Sequence, residues 1–355
     1  MIYIQRIIFR NIIKIKPNLS SLSYNLRIFS QVKITSFFDL LFNWRRKLPQ
    51  LPSVDKRLAP SNTSFDCSYR VFMPERASSA IEACPAAVSE AYGQGLDFEK
   101  EGKIALAEKA YRRALELDPE DSYGIGVRLA ALGLDEQFEE MPSAYVASLF
   151  DYYADQFDKI LVDDLGYCVP YQLKEVLNSC SIGTFERYLD LGCGTGLGGE
   201  ALVDHTEHRT GVDLSELSLS VAANRQVYDE LYVGDAVEFL KEFHTTDGNH
   251  PNWSLISATD VFPYLGDLQP ILTAATNRLV PGGCFAFSTE TLDEAECVGV
   301  PYELGPKMRF AHSQSYLEDV LERCGFSIYL ITQIVGRYED LMPVTEHLIL
   351  AQRKN

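Results

Sequence analysis

The chain is short of histidine and has no paired cysteines. Six His and eight Cys are scattered through 355 residues. No two cysteines form a C-x-x-C pair, and no histidines sit at metal-ligand spacing. That pattern excludes a zinc site and a disulfide framework, and it reads as reduced, mostly buried thiols of an intracellular protein. No metal is expected. No uncharged apolar run is long enough to span a bilayer, so no transmembrane segment is expected either. Positive charge is scarce: 32 Lys+Arg face 50 Asp+Glu, for a net charge of -18. Phosphate binding needs a positive footprint, so nucleic acid is excluded as the main partner. What remains has globular proportions, with 46% hydrophobic and 23% charged residues. The length suits two ordinary domains, or one large one with an appendage.

The shortage reverses at the start of the chain, where acids are missing. Residues 1–72 hold 12 Lys+Arg and 3 Asp+Glu, and Asp39 is the only acid before Asp55. Arg6, Arg10 and Lys14 recur every four residues, so a helix would place them on one face. A basic, acid-poor amphipathic start resembles a mitochondrial transit peptide. Binding to a membrane surface is a second reading. The preferred reading is a dispensable extension, because its Ile-rich bias stops near Pro60 and an Ala- and Glu-rich composition begins at Met73. On that reading the protein is cytoplasmic; on the first it is mitochondrial.

From about Ala86 the pattern turns helical. "GQGLDFEKEGKIALAEKAYRRALELDP" resembles one tetratricopeptide repeat. Gly95 and Phe98 belong to its first helix, and Gly102 turns the chain. Ala107, Tyr111 and Ala114 line the second helix, which Pro119 ends. The small alanines let two helices approach while Tyr111 fills the space between them. "YGIGVRLAALG" supplies a further helix. A single repeat leaves faces to bury, so the segment is expected to pack on the following domain or on a protein partner. The division is 1–72 extension, 73–140 helical segment, and 141–355 main domain.

From Arg187 to Gln352 strand-like and helix-like segments alternate. Strands are expected near 187–191, 209–213, 230–234, 253–258 and 284–289. Helices are expected near 198–205, 215–225, 236–243, 267–279 and 313–324. This alternation signals an α/β fold, a parallel sheet with helices on both faces. "FSIYLITQIV" and "TEHLILAQR" follow each other without a helix and should form an antiparallel hairpin at the sheet edge. "YLDLGCGTGLGGEAL" opens the first unit. Its glycines spell both G-x-G-x-x-G (Gly194, Gly196, Gly199), the dinucleotide fingerprint, and D-x-G-x-G-x-G (Asp190, Gly192, Gly194, Gly196). Asp190 discriminates between them. A carboxylate at that strand end repels a pyrophosphate but attracts the ammonium and sulfonium of S-adenosylmethionine. Asp213 ends the second strand, where it can accept both ribose hydroxyls. Asp235 follows the third, where it can accept from the adenine amino group, with the Ala236 N–H beside it. Each of these two aspartates also suits a helix N-cap.

"LDLGCGTG", "GVDLS", "VGDA", "ISATDVFPYLGDL" and "LVPGGCFAFS" stand in the order seen in class I S-adenosylmethionine-dependent methyltransferases, and residues 141–355 resemble that family. With the helical repeat in front, the chain is similar to bacterial methyltransferases that carry a tetratricopeptide repeat. The resemblance implies a Rossmann-like seven-stranded, mostly parallel sheet with an antiparallel last strand. It assigns Asp190, Gly192, Gly194 and Gly196 to the methionine end, Asp213 to ribose, and Asp235 to adenine; Cys193, Leu214 and Ala236 are expected to bind the cofactor beside them. "FDYYADQFD" resembles the helix that closes over the cofactor, which would bring Tyr153 and Phe157 near the sulfonium. An ordinary helix core is the alternative for that pair.

Methyl transfer is an in-line displacement from an activated sulfonium, so no covalent nucleophile is required. The chain lacks the Pro-Cys pair used on pyrimidine C5, and it lacks N-P-P-Y and D-P-P-Y, as used on exocyclic amines. A small-molecule acceptor is therefore expected. Asp260 and Tyr264 would line its pocket at the mouth of the cleft, where Asp260 also counts among the cofactor-binding residues and Tyr264 is a candidate catalytic residue. Segment 291–312, where this fold often builds a substrate lid, holds Tyr302, Arg309 and His312. His312 is a candidate general base, although "AHS" also suits a helix cap. His347 reads as structural. The rival functions are a partner-binding scaffold with a vestigial cofactor site and an NAD-dependent oxidoreductase.

Overall fold

The computed structural model describes residues 70–71, 85–135, 138–180, 182–245, 248–293, 297–305 and 307–354. The basic extension, apart from Arg70–Val71, lies outside them. Those two residues form a strand, β1.

Three helices follow: α1 (Pro85–Lys100), α2 (Ile104–Leu117) and α3 (Ile125–Ala131). Gly102, at φ 71°, turns the chain between the first two. A Cβ on Gly95 would lie 2.3 Å from the Tyr111 ring. The glycine thus lets α1 approach α2 until Tyr111, fully buried with Ala107 and Ala114, fills the gap. The Tyr111 hydroxyl donates to Glu99 Oε2 at 2.6 Å, and Arg128 Nε donates to the same oxygen at 2.8 Å. One half-buried acid therefore ties all three helices together.

Helix α4 (Ser143–Tyr153) runs into a 3-10 turn (Ala154–Gln156) and a π-helical turn (Lys159–Asp164) before α5 (Val169–Ser179). The α/β alternation then begins: β2 (Phe185–Leu191), α6 (Leu197–Ala201), β3 (Thr206–Asp213), α7 (Glu216–Arg225), β4 (Glu230–Val233), α8 (Ala236–Glu242), β5 (Trp253–Ala258), α9 (Gln269–Arg278) and β6 (Leu279–Thr291). Short strands β7 (Tyr302–Leu304) and β8 (Phe310–His312) precede α10 (Gln314–Arg323), and the long hairpin β9 (Phe326–Glu339) and β10 (Met342–Arg353) closes the order. The sheet runs β1-β4-β3-β2-β5-β6-β10-β9, with β8 also pairing β6. The pairs from β1 through β6 are parallel, while β10 is antiparallel to both β6 and β9.

This is a Rossmann-like mixed sheet with an antiparallel end, but it has ten strands where seven were expected. The three additions are the two-residue β1 and the three-residue β7 and β8. Runs so short carry no alternation to read. Strand β1 lies inside the segment read as a separate extension, so the sheet begins before residue 73.

Alternation along the strands divides the core. Leu189, Leu191 and Ile256 face α8, α9 and α10 in one cluster, while Tyr188 and Leu255 face α5 in the other. Helices on both faces leave only the carboxyl ends of the parallel strands open, at the point where β2 separates β3 from β5. Ligands collect at that switch point in open α/β sheets.

Candidate functional site

A single cleft opens there. Asp190, Gly192, Cys193, Gly194, Thr195 and Gly198 line it from the loop after β2. Asp213 and Leu214 line it after β3, Asp235 and Ala236 after β4, and Thr259, Asp260, Val261 and Tyr264 after β5. The glycines have different duties. A Cβ on Gly192 would strike Val261 at 2.5 Å, and one on Gly198 would strike Asp190 Oδ2 at 2.3 Å. Gly194, at φ 53°, meets nothing within 4 Å and leaves backbone bare to the cleft. Gly196 (φ 98°) lies off the lining, and a Cβ there would reach Arg225 at 3.0 Å.

Asp190 is 1% exposed, and both carboxylate oxygens accept hydroxyl donors. Ser257 Oγ donates to Oδ1 and the Tyr228 hydroxyl to Oδ2, each at 2.6 Å. Burial raises its pKa above the usual carboxylate value, and these hydroxyl bonds oppose the rise. Asp213 Oδ2 accepts from the Gly194 N–H and Oδ1 from the Ser215 N–H, both at 2.8 Å. The carboxylate expected to hold ribose thus also fixes the glycine loop. Burial pushes its pKa up to about 6. Each oxygen keeps a second acceptor site for the cleft. Asp235 caps α8 through Oδ1, which accepts from Val237 N–H at 2.9 Å and Glu238 N–H at 3.0 Å. Its other oxygen makes no hydrogen bond among the described residues. Cap and ligand roles are compatible in this arrangement.

The cover comes from residues 139–170. Val146, Phe150, Phe157, Leu161, Tyr167 and Pro170 supply an apolar wall. Asp151 ties α4 to the β3–α7 loop, accepting from Ser215 Oγ at 2.6 Å and Leu217 N–H at 3.1 Å. The Met141 N–H donates to the Tyr264 carbonyl at 2.8 Å, and the Gly266 N–H to the Glu139 carbonyl at 2.6 Å. Asp158 accepts from Thr195 Oγ1 at 2.5 Å and pairs with Arg225, so the irregular turns after α4 are clasped to the glycine loop. Of the two aromatics expected near the sulfonium, Phe157 lines the cleft. Tyr153 does not; it packs edge-on against Tyr152 at 4.8 Å.

The lid expected at 291–312 is not where the cover lies. None of its described residues lines the cleft. Instead β8 pairs with the end of β6, and Tyr302 packs on Phe310, His312 and Tyr316. The base role expected of His312 is not met. The ring is 0% exposed, and burial pushes its pKa down to about 4. Nε2 lies 2.9 Å from the Gly266 carbonyl and Nδ1 2.6 Å from Thr289 Oγ1. A carbonyl only accepts, so Nε2 carries the hydrogen and Nδ1 accepts the threonine hydroxyl, which leaves no nitrogen for an acceptor's proton. The neighbouring Ser313 is the helix cap, accepting from Tyr316 N–H.

Tyr264 lines the cleft against Phe150, but burial holds its phenol above its ordinary pKa, protonated rather than basic. Asp260, at φ 60°, presents both oxygens to Arg337 Nη1 at 3.0 and 3.2 Å. Arg337 also binds Glu290, Glu339 and Glu346, and Arg309 joins through Glu290 at 2.5 Å and Glu339 at 2.8 Å. This buried network stands behind Asp260, where the residues after β5 line the cleft. His347, in β10, is buried. Sequence reading did not find Phe150, Tyr167, Tyr228, Ser257 or Arg337. A usable signal existed for two of them: Phe150 stands seven residues before Phe157 on one helical face, and Arg337 is a lone cation in an apolar strand.

The chain has similarity to known proteins across the strands that build this cleft. Residues 189–285 match the family model "Methyltransferase domain". A ubiquinone biosynthesis O-methyltransferase from Idiomarina loihiensis is 33% identical over 110 residues, which is 29% of this chain and 42% of that protein. One from Coxiella burnetii is 33% identical over 104 residues, 29% of this chain and 43% of that protein. The chain thus spans less than half the length of these curated relatives. A solved S-adenosylmethionine-dependent methyltransferase from Clostridium acetobutylicum aligns with 58% of this chain and 100% of its own, at 19% identity and a TM-score of 0.42. The N-methyltransferase NodS from Bradyrhizobium japonicum, in complex with S-adenosyl-L-homocysteine, aligns with 52% and 86%, at 18% identity and 0.39.

Proposed function

We propose that the protein is an S-adenosylmethionine-dependent methyltransferase acting on a small-molecule acceptor. The observation that carries this reading is the meeting of Asp190, Asp213 and Asp235, from three adjacent strand ends, in one cleft whose lining holds no Lys, Arg or His. A lining whose charged residues, among those described, are all acidic suits a ligand with cationic ends and opposes the pyrophosphate of NAD. The residues fit the cofactor. Gly194 leaves backbone bare to the cleft, Asp213 keeps two acceptor sites for ribose hydroxyls, and Asp235 keeps a free oxygen for an amino group. When bound, S-adenosylmethionine supplies an activated methyl group. The chain's own part is to hold, orient and dry the site. The apolar wall of Val146, Phe150, Phe157 and Leu161 excludes water, and the Asp158–Thr195 and Asp151–Ser215 bonds hold that wall over the loop.

The O-methylation named for the curated relatives makes a hydroxyl the first acceptor atom to try. Asp260, steadied by Arg337, is the charged group at the acceptor end and takes the place that His312 leaves. The hairpin α1–α2, with Gly95 against Tyr111, supports the tetratricopeptide reading and a protein partner on its outer face. Among the described residues, no helix is long and apolar enough to cross a membrane. The cytoplasmic placement, with the mitochondrial alternative, rests on the sequence reading alone.

The test is mass spectrometry of protein purified without added ligand, followed by calorimetric titration. The expected result is retained S-adenosylmethionine or its demethylated product, and no competition from NAD. Binding of NAD in competition would overturn the reading. So would a cleft that takes up neither S-adenosyl ligand, which is the outcome a vestigial scaffold requires.

A further inference from the structure

Asp190 is a carboxylate sealed from water with no cation paired to it among the described residues. A buried, unpaired charge is costly unless hydrogen bonds replace its lost hydration. Here they come from two directions, and the donor sense of each is fixed. The Gly199 N–H can only donate, and it lies 2.9 Å from the Tyr228 hydroxyl. That hydroxyl therefore spends its own hydrogen on Asp190 Oδ2 at 2.6 Å. On the other side, the one hydrogen of Ser257 Oγ goes to Asp190 Oδ1 at 2.6 Å. The Tyr188 hydroxyl, 2.7 Å from Ser257 Oγ, must then donate to Ser257. Two directed chains converge on one carboxylate: Tyr188 to Ser257 to Oδ1, and Gly199 to Tyr228 to Oδ2. Aligned donors strengthen one another in a low-dielectric interior.

The packing shows that these contacts are built in. Glycine at 199 is required, since a Cβ there would meet the Tyr228 ring at 2.6 Å. Gly198 leaves room for the carboxylate itself. Neither tyrosine belongs to the glycine loop, and neither lines the cleft; they act from behind Asp190.

Resting on the cofactor reading above, we propose that Tyr228 and Ser257 are positioning residues that hold Asp190 as a fixed, ionised receptor for the positive end of the ligand. Without them the carboxylate takes a proton more readily and the receptor is lost. The titratable groups facing Asp190 are Tyr188 on its own strand, Tyr228, Cys193 in the loop, and Asp213 on β3. The three phenol and thiol groups are pushed up by burial and stay neutral through the working range. Burial pushes the Asp213 pKa up to about 6, with the Asp190 charge adding to the rise, and Asp213 is present in every variant, so the readout is the difference between variants and not the midpoint of any one.

The experiment is calorimetric titration of the full chain with S-adenosylmethionine from pH 5 to 8.5, for the unmodified protein, Tyr228→Phe and Ser257→Ala, with thermal melts of each. Both variants should lose affinity at a midpoint about one pH unit above that of the unmodified protein, with about threefold weaker binding midway between the two midpoints and a difference that approaches about tenfold below both. Ser257→Ala deletes one oxygen and serves if Tyr228→Phe does not fold. Superimposable pH profiles would overturn the proposal while leaving the cofactor reading intact. Absence of binding by the unmodified protein would overturn both.

Discussion

At the residue scale, Asp213 shows how one side chain serves loop and ligand together. Its oxygens accept from Gly194 N–H and Ser215 N–H before any ribose arrives. Asp213→Ala should therefore abolish measurable cofactor binding and also lower the stability of the ligand-free protein. Two buried N–H groups lose their acceptor, at about 1–3 kcal/mol each. Paired melts and titrations check this, and an unchanged melting temperature would separate the two duties. The pH dependence has a definite sign. The folded pKa, about 6, lies above the ordinary carboxylate value of 3.8. The folded chain thus favours the proton, so this group's stabilisation is complete below 3.8 and is lost as pH rises through about 6. The loss is on the order of 3 kcal/mol, from a shift of roughly two units. Ligand hydroxyls donate to the ionised form and reverse the trend. Affinity for the demethylated product should fall below pH 6, and Asp213→Asn should flatten both slopes in melts from pH 4.5 to 7.5.

At the element scale, the hairpin α1–α2 stands on one close approach. Gly95→Ala puts a methyl group into the Tyr111 ring, since the Cβ position is 2.3 Å away. Overpacking of that kind costs about 1–3 kcal/mol. The variant should melt earlier, while cofactor affinity, built on β2 to β5, stays unchanged. A parallel fall in affinity would couple the hairpin to the cleft. The same scale shows what was legible beforehand. Helices α6 to α10 and strands β2 to β6 were readable because glycines, caps and apolar periods mark each boundary, and the closing hairpin was readable because no helix pattern separates its strands. Asp190, Asp213 and Asp235 could be placed because each ends or follows a strand. What failed depends on distant sequence. The donors to Asp190 come from 67 and 38 positions away, and Arg337 reaches Asp260 across 77. No local pattern carries such pairings. His312 misled for the same reason: its partners, Thr289 and Gly266, stand 23 and 46 positions back.

At the scale of the whole molecule, the sheet joins segments that composition had separated. A chain beginning at Met73 loses the pairing of Arg70 with Tyr232 and of Val71 with Val233. Only two residues are involved, so it should stay soluble and bind cofactor, with a melting temperature lower by roughly 2–4 °C, the shift that about 1 kcal/mol makes in a domain of this size. Loss of binding would show that the edge strand supports the adenine end of the cleft. Strand order carries a different consequence. Strand β10, residues 342–353, lies between β6 and β9, so it inserts in the interior of the sheet although both of its neighbours precede it in the chain. Until it arrives, β6 offers an open apolar edge along Cys284–Glu290, and β9 has no neighbour to pair with. A nascent chain that has been made only as far as β9 cannot close this sheet. Unpaired edges of that kind recruit other chains. Yield in cells should therefore depend on how quickly synthesis passes from β9 through β10, and on chaperones that shield β6 in the interval.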